Sequence, residues 1–124
     1  MARQYDKVVG VLLLLLGVLG FIPGLAPGGE LFGLFNVDMV HNGFNIVSGL
    51  IFLLAGISAS ESAAKGVALF FGFVFTVLTL WGLLGDGTIL NGLTQLNMAD
   101  NILHLILAIT SLGVGLSRER VVRV

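Results

Sequence analysis

Two histidines, His41 and His104, are the only imidazoles in a 124-residue chain that has no cysteine. Each stands in a short polar stretch, "DMVHNGFN" at 38–45 and "NMADNILH" at 97–104, and each stretch opens a long apolar run. Together the two stretches hold Asp38, His41, Asn42, Asn45, Asn97, Asp100, Asn101 and His104. Imidazole and carboxylate suit a divalent metal such as zinc or iron, with His41, Asp100 and His104 as candidate ligands. Two histidines on facing helices can also hold a haem. Asp100 and His104 stand at i,i+4, the spacing of neighbours on one helix face, as do His41 and Asn45. Neither a c-type haem motif nor a tight His–carboxylate ligand signature is present, so the expected cofactor is none. No Ser-His-Asp, Cys-His or paired-carboxylate arrangement with catalytic spacing occurs, and the chain is expected not to be an enzyme.

Part of the cluster has a plain structural reading. Asp38 and Asn97 precede apolar runs, where Asp and Asn cap the first turn of a helix. Asn97 and Asp100 resemble a capping box with Asp in place of Glu. Capping covers Asp38, Asn97 and Asp100. It leaves His41, Asn42, Asn45, Asn101 and His104, which lie further along and should face other helices rather than lipid.

The elements that carry these residues follow from composition. The chain is 56% apolar and 10% charged, with a mean hydropathy of +1.06; soluble domains carry roughly 25% charged residues. Four apolar runs free of charge stand out: Val8–Ile22, Met39–Ile57, Gly66–Leu84 and Met98–Leu116. A spanning helix needs roughly 17–25 residues, and in lipid only helices or closed barrels satisfy the backbone. The runs lack the alternation of barrel strands. The reading is a single all-α transmembrane domain over 1–124, a four-helix bundle with helices near 7–25, 38–58, 64–84 and 97–117. Arg3, Lys7 and the small residues at 24–26 imitate a secretory signal, but Pro27 would follow the cut, and the repeat below argues that the first helix is retained.

Residues 59 apart match without a gap. Leu31, Gly33, Leu34, Met39, Asn42, Leu53, Gly56 and Ser58 fall on Leu90, Gly92, Leu93, Met98, Asn101, Leu112, Gly115 and Ser117. Upstream, Val8, Val18, Leu19 and Gly28 fall on Val67, Val77, Leu78 and Gly87. The unit is a helical hairpin, duplicated as 7–58 and 66–117. Two crossings separate the copies, which makes a parallel repeat with a pseudo-two-fold along the membrane normal. Asn42, Gly49 and Gly56 recur every seven residues, and so do Asn101, Ala108 and Gly115. Gly49, Gly56, Ala108 and Gly115 are therefore expected to pack helix two directly on helix four, with the Asn and His groups meeting above them.

With four crossings both termini and the Ser58–Lys65 loop share one side. Arg3, Lys7, Lys65, Arg118, Arg120 and Arg123 all lie there, whereas the other side holds Glu30, Asp38, Asp86 and Asp100. The bias of Lys and Arg toward the cytoplasm places both termini inside and both polar clusters outside. Trp81 is assigned to the outer interfacial belt and Tyr5 to the inner one. "LFGLF" and "ILNGL" read as half-turns at the interface. Phe70, Phe71, Phe73 and Phe75 are expected to face lipid. Thr76, Thr79, Thr110 and Ser111 are expected to bond back to the preceding turn, and no carboxylate is seen deep in an apolar run to serve an ion path.

The motifs "HNGFNIVSG" and "ADNILHLILA", with "LLGVLGFIPG" at the end of helix one, resemble a family of small bacterial four-helix membrane proteins catalogued as a domain of unknown function. Its pattern is approximately H-N-x-x-H-x-x-x-G in helix two and A-D-N-x-x-H in helix four. His41, Asn42, Gly49, Ala99, Asp100, Asn101 and His104 carry over; Asn45 stands where the family usually has His. The resemblance implies fold and location, and no reaction. The function expected is that of a structural or accessory subunit of a membrane assembly. A ligand, metal or haem site at the outer cluster is the alternative, and a small transporter or channel a weaker one. The partners expected are the lipid bilayer and another membrane protein or a second copy. No basic stripe with interleaved aromatics points to nucleic acid.

Overall fold

The computed structural model describes residues 1–22, 24–85, 88–89 and 94–117, with backbone alone at 36, 88, 89, 94 and 95. Asp86, Gly87, Leu90, Gly92, Leu93, Arg118, Arg120 and Arg123, used in the reading of repeat and orientation, lie outside the described residues. Four helices make the bundle: α1 (Ala2–Gly20), α2 (Met39–Ser58), α3 (Glu61–Leu84) and α4 (Met98–Leu116). Between α1 and α2 a 3-10 turn (Pro27–Gly29) leads into a two-residue ladder of β1 (Glu30–Leu31) and β2 (Phe35–Asn36). β1 and β2 are antiparallel, with Glu30 opposite Asn36 and Leu31 opposite Phe35. Between α3 and α4 stand β3 (Thr88–Ile89) and β4 (Thr94–Gln95), also antiparallel. "LFGLF" is thus the tip of a β-hairpin rather than a half-turn of helix. Gly33 supplies the left-handed backbone the tip requires, at φ +71°.

The helix boundaries have local causes. Asp38 accepts from the amide of His41 at 2.7 Å and starts α2. Ser60 accepts from the amide of Ala63 at 3.1 Å and starts α3. Asn97 and Asp100 form a reciprocal capping box that starts α4. α1 runs from Ala2 rather than 7 and stops at Gly20 rather than 25. Its last turn tightens into bonds from Phe21 to Val18 and from Ile22 to Leu19, both 3.1 Å, and the sequence has Pro at 23, which disfavours helix in the residue before it. α2, α3 and α4 are long and apolar enough to cross a membrane. The 19 residues of α1 include Arg3, Asp6 and Lys7, so its apolar part is only Val8–Gly20.

Packing is dominated by two hairpins, α1 with α2 and α3 with α4. Their helices touch backbone to backbone. A methyl group at Gly10 would lie 2.6 Å from the Leu53 nitrogen, and one at Gly72 would lie 2.9 Å from the Leu112 nitrogen. Gly56 sits against Lys7, and Gly115 against Leu69. Gly20 sits against Asn42, and Gly82 against Asn101. In these three pairs of contacts the α2 residue and its α4 counterpart are 59 apart, while the α1 and α3 residues are 62 apart. Between matched contacts the path from α3 to α4 is three residues shorter than that from α1 to α2. The ungapped match of Val8 with Val67 and of Val18 with Val77 is therefore not the correspondence found in space.

These contacts also correct the expected role of the small residues. Gly49 lies 2.7 Å, by its absent Cβ, from the Leu14 nitrogen of α1, and Gly56 and Gly115 likewise face α1 and α3. Gly49, Gly56 and Gly115 join each hairpin internally and do not bring α2 onto α4. The hairpins meet instead through larger side chains: Val9 and Leu13 of α1, Phe52 of α2, Phe71 and Phe75 of α3, and Leu107 and Ala108 of α4. Phe52 and Phe71 have ring centroids 4.8 Å apart. Phe71 and Phe75 are thus core residues, while Phe70 and Phe73 are exposed as expected. A pleated phenylalanine row buys close contact where lipid supplies no hydrophobic drive between helices. The Tyr5 hydroxyl shares hydrogen bonds with Thr110 at 2.7 Å and Ser111 at 2.6 Å, tying α1 to α4. Thr76, Thr79 and Thr110 bond back to Gly72, Phe75 and Ile106, whereas Ser111 is spent on Tyr5.

Candidate functional site

The polar cluster lies at the β-hairpin end of the bundle. His41 and His104 come from unmatched positions, yet their rings meet across α2 and α4, with centroids 5.9 Å apart and planes at 52°. Both are buried. His104 also stacks on Phe75, at 5.7 Å and 21°. Neither Nδ1 has a hydrogen-bond partner. A buried polar atom left so is costly, and native proteins keep few of them.

His41, Asn45 and Asp100 line one small cavity together with Leu16 and Leu103, under a roof of Leu31, Phe35 and Val37. Its volume is about 10 Å³, the room of roughly one water molecule. The roof is the first β-hairpin, and Asn97 latches it. The Asn97 amide donates to the Leu34 carbonyl at 2.7 Å and to Glu30 at 3.1 Å, while its oxygen caps Asp100 at 2.9 Å. One side chain thus starts α4 and ties the first β-hairpin down over the cavity beside His41. Capping explains only half of its work, and the sequence carried no sign of the other half because Leu34 and Asn97 are distant in the chain.

Asn42 and Asn101 are not part of the central meeting. Each lies within its own hairpin against a glycine, and a methyl group at Gly20 or Gly82 would fall 2.1 Å or 1.9 Å from the Asn oxygen. The oxygen therefore rests on the glycine Cα, a weak C–H···O contact, and has no stronger partner.

No three His, Asp or Glu side chains converge as a metal site among the described residues.

The family described as a domain of unknown function, DUF4383, matches residues 3–117. The chain belongs to this family. No curated protein and no solved structure matches it. The match covers all four helices.

One residue with a chemical signature was missed from the sequence. Asp6 is fully buried, with neither oxygen hydrogen-bonded. It sits among Arg3 and Lys7, where a carboxylate reads as one more solvated charge. Only the packing of α1 on α3 shuts it in.

Proposed function

We propose that this membrane protein is a structural or accessory subunit of a larger assembly in the cytoplasmic membrane, and that it catalyses no reaction. The carrying observation is the distribution of surface. Large apolar side chains such as Leu15, Val47, Leu54, Phe70, Phe73, Leu84, Ile106 and Ile109 are exposed on all four helices, while the polar residues are turned into an interior with room for about one water. Such a molecule offers lipid and neighbouring helices a wide face.

In this reading α1 is a fourth crossing. Its glycine contacts bind it along α2, and Val8 marks where it enters the bilayer. Lys and Arg at the terminal end support a cytoplasmic position for both termini. The matched glycine contacts support a duplicated hairpin. The test is extraction from the native membrane in mild detergent, followed by mass spectrometry of the intact particle. A defined complex with other membrane proteins supports the reading, and a lone particle of one or a few copies refutes it.

A second reading rests on the unpartnered imidazole nitrogens: a small polar ligand held at His41 and His104. Replacing both with Leu would abolish any bound mass on the intact particle; unchanged mass would remove this reading.

A further inference from the structure

At the terminal end of the bundle a carboxylate is enclosed. Asp6 shares a face of α1 with Ala2, Val9 and Leu13, all of them buried. Opposite stands the start of α3. Its Glu61 carboxylate accepts from the amides of Ala2 at 2.7 Å and Arg3 at 3.0 Å, which seats the first turn of α1 on the first turn of α3. Ala64 and Ala68 of α3 are fully buried at the same end. Small side chains here let the two helices close over Asp6.

Among the described residues every cation at this end is occupied elsewhere or faces outward. Arg3 donates to the Ile57 carbonyl at 2.9 Å, and Lys65 donates to the Ser117 carbonyl. The N-terminal amine pairs with Glu61 at 3.3 Å. Lys7 is exposed and packs its stem on Gly56. The remaining described ionisable group of this end is Tyr5, held by Thr110 and Ser111. Among the described residues α2 and α4 bring none here; their His41, Asp100 and His104 lie at the other end. Among the described residues Asp6 thus has a like charge, Glu61, on the facing helix and no counter-ion.

An ionised carboxylate removed from water without a partner is strongly disfavoured, and one proton removes the penalty. We infer that Asp6 is a proton-binding site: protonated, it lets α1 and α3 close; ionised, it loosens their seam. Asp6 precedes the apolar run that enters the bilayer. Burial, and then Glu61, push its carboxyl up to about 7, so the change falls near neutral pH. The inference is independent of the accessory-subunit reading, since it concerns the isolated chain.

The sign follows from linkage. A carboxyl whose folded value lies above its unfolded one, about 3.9, favours folding when protonated. That stability is complete below the unfolded value. It is lost as pH rises toward 7 and is constant above, with the folding constant falling about tenfold per pH unit between the two values.

The experiment uses the full chain in mild-detergent micelles, as wild type and as Asp6→Asn, the neutral isostere. Unfolding midpoints are measured from pH 4.5 to 9. Spin labels at Val8→Cys and Phe70→Cys, both exposed sites in a chain without cysteine, report the α1–α3 separation. The wild-type midpoint should fall as pH rises to about 7 and then level, while its label distance widens. Asp6→Asn should hold the acid-form midpoint and distance throughout. A wild type indifferent to pH in this window, a label distance that does not move, or an Asp6→Asn variant that keeps the wild-type slope would each overturn the inference. Should Asp6→Asn not fold, infrared spectroscopy of the wild type decides. A protonated-carboxyl band that disappears as pH passes through neutrality supports the site, and its absence near pH 6 refutes it.

Discussion

The sharpest stability test compares two glycines that the sequence does not distinguish. At Gly10 a Cβ would stand 2.6 Å from the Leu53 nitrogen, 2.8 Å from the Gly49 carbonyl oxygen and 2.8 Å from the Leu53 Cα. All three are backbone atoms, so no side-chain rotation relieves them, and α1 must move away from α2. At Gly43 a Cβ meets nothing within 4 Å. Gly→Ala in a helix gains roughly 0.8–1 kcal/mol from propensity at either site. At Gly10 an overpacking cost of about 1–3 kcal/mol opposes this gain, and the rigidity of the obstacles places it toward the upper end. Gly10→Ala should therefore destabilise by about 1–2 kcal/mol, and Gly43→Ala should stabilise by up to about 1 kcal/mol, a separation of about 2–3 kcal/mol. The assay is unfolding in micelles followed by circular dichroism, with both variants in one buffer. If Gly10→Ala proved as stable as Gly43→Ala, close approach of the helix backbones would not be what holds the hairpin.

Three further outcomes follow from the same contacts. Asn97→Ala should cost about 2 kcal/mol, since it removes the cap and the latch on Leu34 together. Asn97→Ser, which keeps only the capping oxygen, should recover about half; full recovery would show that the latch contributes nothing. A groove of about 200 Å³ opens between α3 and α4, lined by Thr76, Thr79, Leu80, Leu105, Ala108, Ile109 and Leu112. The α1–α2 hairpin has Gly17 and Gly49 at the positions that correspond to Thr79 and Ala108. Thr79→Gly with Ala108→Gly should thus draw α3 and α4 together, read as a shorter distance between spin labels at Val77→Cys and Ile106→Cys; an unchanged distance would refute the account of the groove. Gly82→Ala should be worse tolerated than Gly113→Ala, because a methyl group at 82 lands 1.9 Å from the Asn101 oxygen and one at 113 meets nothing. Equal midpoints for the two would remove Asn101 as the reason for that glycine.

The apolar runs, their caps and the family were legible in the chain alone, because each depends on residues adjacent in sequence. A run long enough to span needs only composition and length. Asp38, Asn97 and Asp100 announce helix starts because the amides they satisfy are three residues away. The polar identity of the two clusters was equally plain. What a periodic row faces is different in kind. Gly49 and Gly56 define a face of α2, yet nothing local states whether α1 or α4 comes to it; in the structure it is α1. The same holds for Phe71 and Phe75, whose neighbours Phe70 and Phe73 are chemically identical and point to the outside. It holds for Asn97, whose second function needs Leu34, and for Asp6, which is an ordinary terminal charge until α3 covers it. Sequence determined which segments are helices and where they begin. Tertiary structure alone decided which faces meet, and so which polar atoms are left in the dark without a partner, because burial is a property of two segments and is written in neither.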